Sequence, residues 1–114
     1  MDAENLIPKK PLDFIQRCIR QQKIFWTYHV NMRMKGRFIP RQFILESVNN
    51  YEIIEEYRKD KYFPSYLVYS KYKGKVFHIL FSVDVKDDNI RIITTYYPNL
   101  GEWKKDLKTR RRLK

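Results

Sequence analysis

The sequence predicts an α+β domain, with N-terminal helices packed on a curved antiparallel sheet of about four strands. Three observations predict it. Apolar residues recur at helical spacing near the N-terminus, the period changes to two from Tyr51 onward, and short turn signals separate the later runs. The 114 residues suit one hydrophobic core. A composition of 43% hydrophobic and 16% aromatic residues argues for a packed chain over a disordered one. One domain over 1–114 is therefore expected, with a flexible arm at 1–10 and a basic tail at 104–114.

Each element has its own signal. Pro11 suits the first turn of a helix, and Asp13 suits its positive end. Leu12, Phe14, Ile15, Cys18 and Ile19 share one side, and Asp13, Gln16, Arg17 and Arg20 share the other, which predicts a helix over about 11–23. Cys18, the one cysteine, falls on the apolar side and reads as a small core residue, so an intrachain disulfide is excluded. "IFWTYHV" has strand propensity, but "NMRMKG" looks helical and stops at Gly36, which predicts a second helix over about 26–35. Pro40 begins a short third helix with Phe43, Ile44 and Val48 inward. "YEIIEEY" at 51–57 is a strand. Tyr66–Tyr72, Val76–Val85 and Ile90–Tyr97 then form a meander through turns at Lys73–Gly74 and 86–89. In its middle strand Phe77, Ile79, Phe81, Val83 and Val85 line the core face, and His78, Ser82 and Asp84 line the other. Trp103 is expected to pack back on the domain, with 104–114 as a short basic helix or tail.

The charge balance points to polyanions. Lys and Arg number 24 against 13 acidic residues, a net of +11, which attracts phosphate backbones, acidic proteins or anionic surfaces alike. No run approaches the roughly 18 apolar residues of a membrane span. The first residues lack a secretory apolar stretch, so a cytoplasmic location without a membrane partner is expected. Glu52, Glu55, Glu56 and Asp60 form an acidic cluster without metal-ligand spacing, and neither metal nor cofactor is expected.

A string of signatures runs through the chain: "YHVNMRMKGRFI" at 28–39, carrying His29, Arg33, Met34, Arg37 and Ile39; "EIIEEY" at 52–57; "SYLVY" at 65–69; "KVFHILFSVD" at 75–84; and "IRIITTYYP" at 90–98, with Trp103 beyond. In this order the chain resembles the DUF4258 family, a group related in fold to the RelE/ParE toxin superfamily. The resemblance implies a RelE/ParE-like fold. It also implies a toxin of a toxin–antitoxin system that cuts messenger RNA, with RNA, a cognate antitoxin protein and the ribosome as partners. Gly36 stands where the family commonly carries Glu, so any role of that carboxylate is missing here.

Metal-free RNA cleavage needs a base for the 2′-hydroxyl, a cation for the phosphate and an acid for the leaving oxygen. His78 is the first candidate, because it points away from the core face and has the right intrinsic pKa; the alternative is a histidine packed under the N-terminal helices and bonded to Asp84, Ser82 or backbone. His29 and Arg33, four apart on a helix, form a second candidate for holding a phosphate, or else Arg33 pairs with Glu55 or Glu56. Tyr96, which shares strand parity with Thr94, is taken as the outward member of the Tyr96–Tyr97 pair, either stacking a base or moving a proton, or packing on Trp103. Arg37 and Arg41 flank the helix start at Pro40, where free N–H groups favour an anion. Lys108, Arg110, Arg111 and Arg112 either touch RNA backbone or an acidic antitoxin segment, or are simply solvated. Two rival readings remain beside the endoribonuclease. One is a non-catalytic RNA-binding protein; the other is a protein-interaction module with an acidic or DNA-enzyme target.

Overall fold

Pro11 opens α1 (Pro11–Arg20), which places Ile15, Cys18 and Ile19 in the core and Arg17 and Arg20 in its last turn. The computed structural model describes residues 6–112, so 1–5 of the expected arm and 113–114 of the expected tail lie outside the described residues. After α1 the chain enters a short strand, β1 (Ile24–Trp26). The Thr27 hydroxyl then accepts the Val30 N–H at 3.1 Å and caps α2 (Tyr28–Gly36). α2 buries Val30 and Met34. It closes when the Phe38 and Ile39 N–H groups donate back to the carbonyls of Lys35 (3.3 Å) and Met34 (2.9 Å). Extended Pro40 precedes α3 (Arg41–Glu46), and a single 3₁₀ turn (Val48–Asn50) leads into the sheet.

The strands are β2 (Glu52–Tyr57), β3 (Ser65–Tyr72), β4 (Lys75–Asp84) and β5 (Asn89–Tyr96), and the sheet order is β1-β5-β4-β3-β2. Lys73 and Gly74 both take positive φ in the β3–β4 hairpin, where two left-handed residues match the strand twist. On the inner face Tyr66, Val68, Phe77, Ile79, Phe81, Val83, Ile90 and Ile92 meet the apolar sides of α1, α2 and α3. The β4 alternation therefore sorts as its period requires, and Cys18 lies fully buried beneath α1. No helix among the described residues is long and apolar enough to cross a membrane.

The architecture corrects the expected sheet. Among the described residues it has five strands, not about four, and is open and mixed, not a curved antiparallel layer: β1 runs parallel to β5, pairing Ile24 with Ile90 and Trp26 with Ile92. The correction originates at residues 24–26, where β-prone Ile-Phe-Trp adds an edge strand and the helix waits for its Thr27 cap. Two register shifts, between Ile53 and Glu55 and between Leu80 and Phe81, bend the pairing further. The segment after Trp103 forms no helix over 104–112; it folds back so that Trp103 and Arg110 make an antiparallel bridge.

Phe81 is fully buried at the centre of the inner face. Phe81→Ala is expected to cost about 3–5 kcal/mol, read as a lowered midpoint in urea unfolding. A loss below ~1 kcal/mol would contradict the core described here.

Candidate functional site

β5 outruns its neighbour. β1 ends at Trp26 opposite Ile92, whereas β5 continues to Tyr96, so its last residues have no strand on that edge among the described residues. α2 takes the vacant place. Arg37 Nη1 donates to the Thr95 carbonyl at 2.7 Å and to the Thr94 hydroxyl at 3.3 Å, and Arg33 Nη1 donates to the same hydroxyl at 3.4 Å. Spacing of four residues puts both arginines on one side of α2. The register shift opposite Leu80 and Phe81 makes this possible, because Ile93 becomes an extra residue, 41% exposed, and Thr94 turns outward.

Two guanidinium groups thus converge on one neutral oxygen. The ion pairs of the described residues lie elsewhere, joining Arg17 and Lys23 to Asp88, Arg58 to Glu56, Lys108 to Glu52 and Arg110 to Glu55. The helix C-terminus favours cations, but it carries only about half a negative charge. Arg33, Lys35 and Arg37 together exceed it, so the edge keeps a positive field that suits an anion. Arg37 also borders a groove of about 430 Å³ lined by Tyr96, Tyr97, Asn99 and Glu102 among others. The Tyr97 hydroxyl donates to the Phe38 carbonyl at 2.9 Å and ties the end of α2 to that groove.

His78 is not available as a surface base. Its ring is fully buried, although it lies on the outer face as expected. Its cover is the C-terminal segment, not the N-terminal helices, and neither Asp84 nor Ser82 is its partner: Nε2 lies 2.6 Å from the Leu107 carbonyl and Nδ1 lies 3.2 Å from the Tyr96 hydroxyl. A carbonyl only accepts, so Nε2 carries the proton and the Tyr96 O–H donates to Nδ1. Trp103 stands edge-on to the imidazole at 4.5 Å. Burial lowers the His78 pKa, partly opposed by the hydrogen bond to Leu107. Tyr96 is half-buried beside it, and burial pushes its phenol up to about 12.

The segment over His78 has its own local logic. Asp106 accepts from the Thr109 hydroxyl and from the N–H groups of Lys108 and Thr109, which lowers its carboxyl to about 2. That turn holds Leu107 at φ 58 and aims its carbonyl at His78. Arg110 donates two bonds to Glu55, both 3.0 Å, while its guanidinium stacks on Trp103. Lys108 reaches Glu52 and the Tyr69 ring. Arg111 donates through Nε to the carbonyls of Leu100 and Trp103. Three of the four basic tail residues named from the sequence are thus engaged with the domain itself, and Arg112 is exposed.

Of the other candidates, His29 is exposed on α2 one turn before Arg33. Arg33 bonds Thr94 and neither Glu55 nor Glu56. Arg37 and Arg41 do not converge at the α3 start, since Arg41 bonds Asn31 at 2.9 Å and stacks on Trp26. Tyr97 packs against the core, whereas Ile93, the extra residue in the pairing with β4, is exposed. Sequence reasoning missed Thr94, whose role depends on that extra residue, and Leu107. The Asp106-x-x-Thr109 spacing was a readable turn signal for the latter. No group of three or more His, Cys, Asp or Glu able to hold a metal occurs among the described residues.

Residues 26–97 match the model of a protein family described as a domain of unknown function (DUF4258). No curated protein and no solved structure matches the chain.

His78 sets a pH dependence. Its folded pKa lies below the ordinary 6.5, so its contribution is complete above that value and is lost as pH falls through it toward the folded pKa. The urea midpoint is expected to drop between pH 7 and pH 5, and the drop should be smaller in His78→Gln. An equal slope in that variant would show that other groups set it.

Proposed function

The chain belongs to the DUF4258 family, and on that premise we propose that it binds RNA along the Arg33–Arg37 edge and cleaves it without a metal, as the toxin of a toxin–antitoxin pair. One observation carries the binding: two guanidinium groups meet at the Thr94 hydroxyl without a carboxylate partner among the described residues. A phosphodiester presents two charged oxygens to such a pair, and charge-assisted bonds to phosphate are stronger than bonds to a neutral hydroxyl. The step from binding to cleavage rests on the resemblance to RelE/ParE-type toxins. The ribosome and an antitoxin protein are the partners this reading proposes.

The chemistry divides among exposed groups. His29, one helical turn from Arg33, takes the proton from the ribose 2′-hydroxyl. The 2′-oxygen attacks phosphorus while Arg33 and Arg37 hold the charge that builds on the phosphate oxygens. The P–O5′ bond breaks, the 5′-oxygen takes a proton from solvent water, and the products are a 2′,3′-cyclic phosphate and a 5′-hydroxyl. Tyr96 is not among the reacting groups: its phenol, pushed up to about 12, stays protonated at neutral pH, but that proton is held by His78 Nδ1. The burial of His78 favours a second reading, binding without cleavage, because it removes one of the two histidines from substrate.

The test is brief induction in growing cells with mapping of new RNA 5′ ends. The parent is expected to arrest growth and leave 5′-hydroxyl ends. Arg33→Ala with Arg37→Ala should abolish them, and His29→Ala should reduce cleavage about 10²–10⁴-fold. Ends that persist in His29→Ala would assign the base elsewhere. Soluble protein with neither arrest nor new ends would sink the cleavage reading and leave binding, which a salt titration with purified protein then decides.

A further inference from the structure

Phe38 is hard to explain by folding alone. It follows the C-cap of α2 with φ 57, a left-handed conformation that favours glycine and is rare for a bulky side chain. Gly36 lies two residues earlier, inside the helix, where glycine has no such advantage. The Phe38 side chain is not rewarded by burial either, being 82% exposed, more than any other large hydrophobic residue among those described. Glycine would suit this backbone better, and a polar side chain would suit this exposure better.

The backbone beneath the ring is nevertheless held on three sides. The Phe38 N–H donates to the Lys35 carbonyl at 3.3 Å, its carbonyl accepts from the Tyr97 hydroxyl at 2.9 Å, and the next residue, Ile39, is 1% exposed. A strained, well-anchored residue with a solvent-facing ring is the form of a preset contact. Its chain neighbour is Arg37, and Tyr97, which holds its carbonyl, lines the same groove as Arg37.

We infer that Phe38 is a base-stacking residue, and that the ligand of the Arg33–Arg37 edge is therefore single-stranded RNA with an unpaired base beside the bound phosphate. This inference rests on the RNA-binding reading above and narrows its substrate class. The physical reason is complementarity. Arginines suit the phosphate, and an aromatic face suits the face of a base, with stacking that tolerates any sequence. A duplex offers phosphates but keeps its base faces stacked on one another, so it engages the arginines and leaves Phe38 in water.

Fluorescence anisotropy on the full chain tests this, with a labelled short single-stranded RNA of mixed sequence and its blunt duplex, each titrated with salt. The parent should prefer the single strand. Phe38→Ala and Phe38→Gly should weaken single-strand binding about tenfold, with the salt slope unchanged because no charge is lost. Duplex binding should stay as in the parent, and Phe38→Trp should restore single-strand affinity. Phe38→Gly should also melt at the same or a higher temperature, which separates loss of the ring from loss of the fold. Arg33→Ala with Arg37→Ala should instead lower affinity for both RNAs and flatten the salt dependence. Single-strand binding by Phe38→Gly within twofold of the parent, or an equal loss on the duplex, would overturn the stacking role while leaving RNA binding intact. A parent that binds neither RNA would overturn both readings.

Discussion

The organising constraint is the unpaired end of β5. A backbone carbonyl on a sheet edge needs a donor, and β1 stops before it can supply one to Thr95. Arg37 supplies it from a helix, which fixes the end of α2 against the strand. Arg33, one turn earlier, is carried to the same edge and shares Thr94 with it. The helix closure then has to occur beside Tyr97, and Phe38 takes the left-handed position there. A shortfall of a few residues in one strand thus produces a concentrated positive edge and an exposed ring next to it.

The opposite economy governs the outer face behind His78. Exposed imidazole and phenol groups on a sheet would have marked it as a reactive surface. Here Trp103 and the Asp106 turn cover them, and every polar atom of the imidazole has a partner. The acidic residues of β2 serve the same cover, since Glu52 and Glu55 receive Lys108 and Arg110. Hydrogen bonding to Arg110 holds Glu55 below the usual carboxylate range. The basic run near the C-terminus is therefore largely a fastening for this face. Net charge counted along the chain overstates the positive surface available to a ligand. The cations that matter are those whose neighbours are neutral.

Much of the fold was legible because its signals are local. The α1 periodicity, the β4 alternation, the Lys73–Gly74 turn and the buried Cys18 each follow from residues within a few positions of one another. Arg33 and Arg37 could each be named from the sequence, but their meeting at Thr94 could not. His78 was correctly placed on the outer face, but the segment that seals it arrives from Leu107. Thr94 and Tyr96 share the outer face as their parity requires, but the extra residue at Ile93, which shifts the pairing with β4, carries no local signal.

The sequence by itself determined the α+β class, the order of helices before the meander, the inner face of the sheet and a strongly basic chain. Periodicity, turn chemistry and charge are properties of neighbouring residues, and they survive without knowledge of the rest. Tertiary structure alone decided that β1 joins β5 in parallel, that β5 outruns it, that His78 is closed over, and which arginines have no carboxylate partner among the described residues. Those outcomes depend on contacts between segments far apart in the chain. There the demand that each buried polar group find a partner chooses among pairings that local pattern leaves equal.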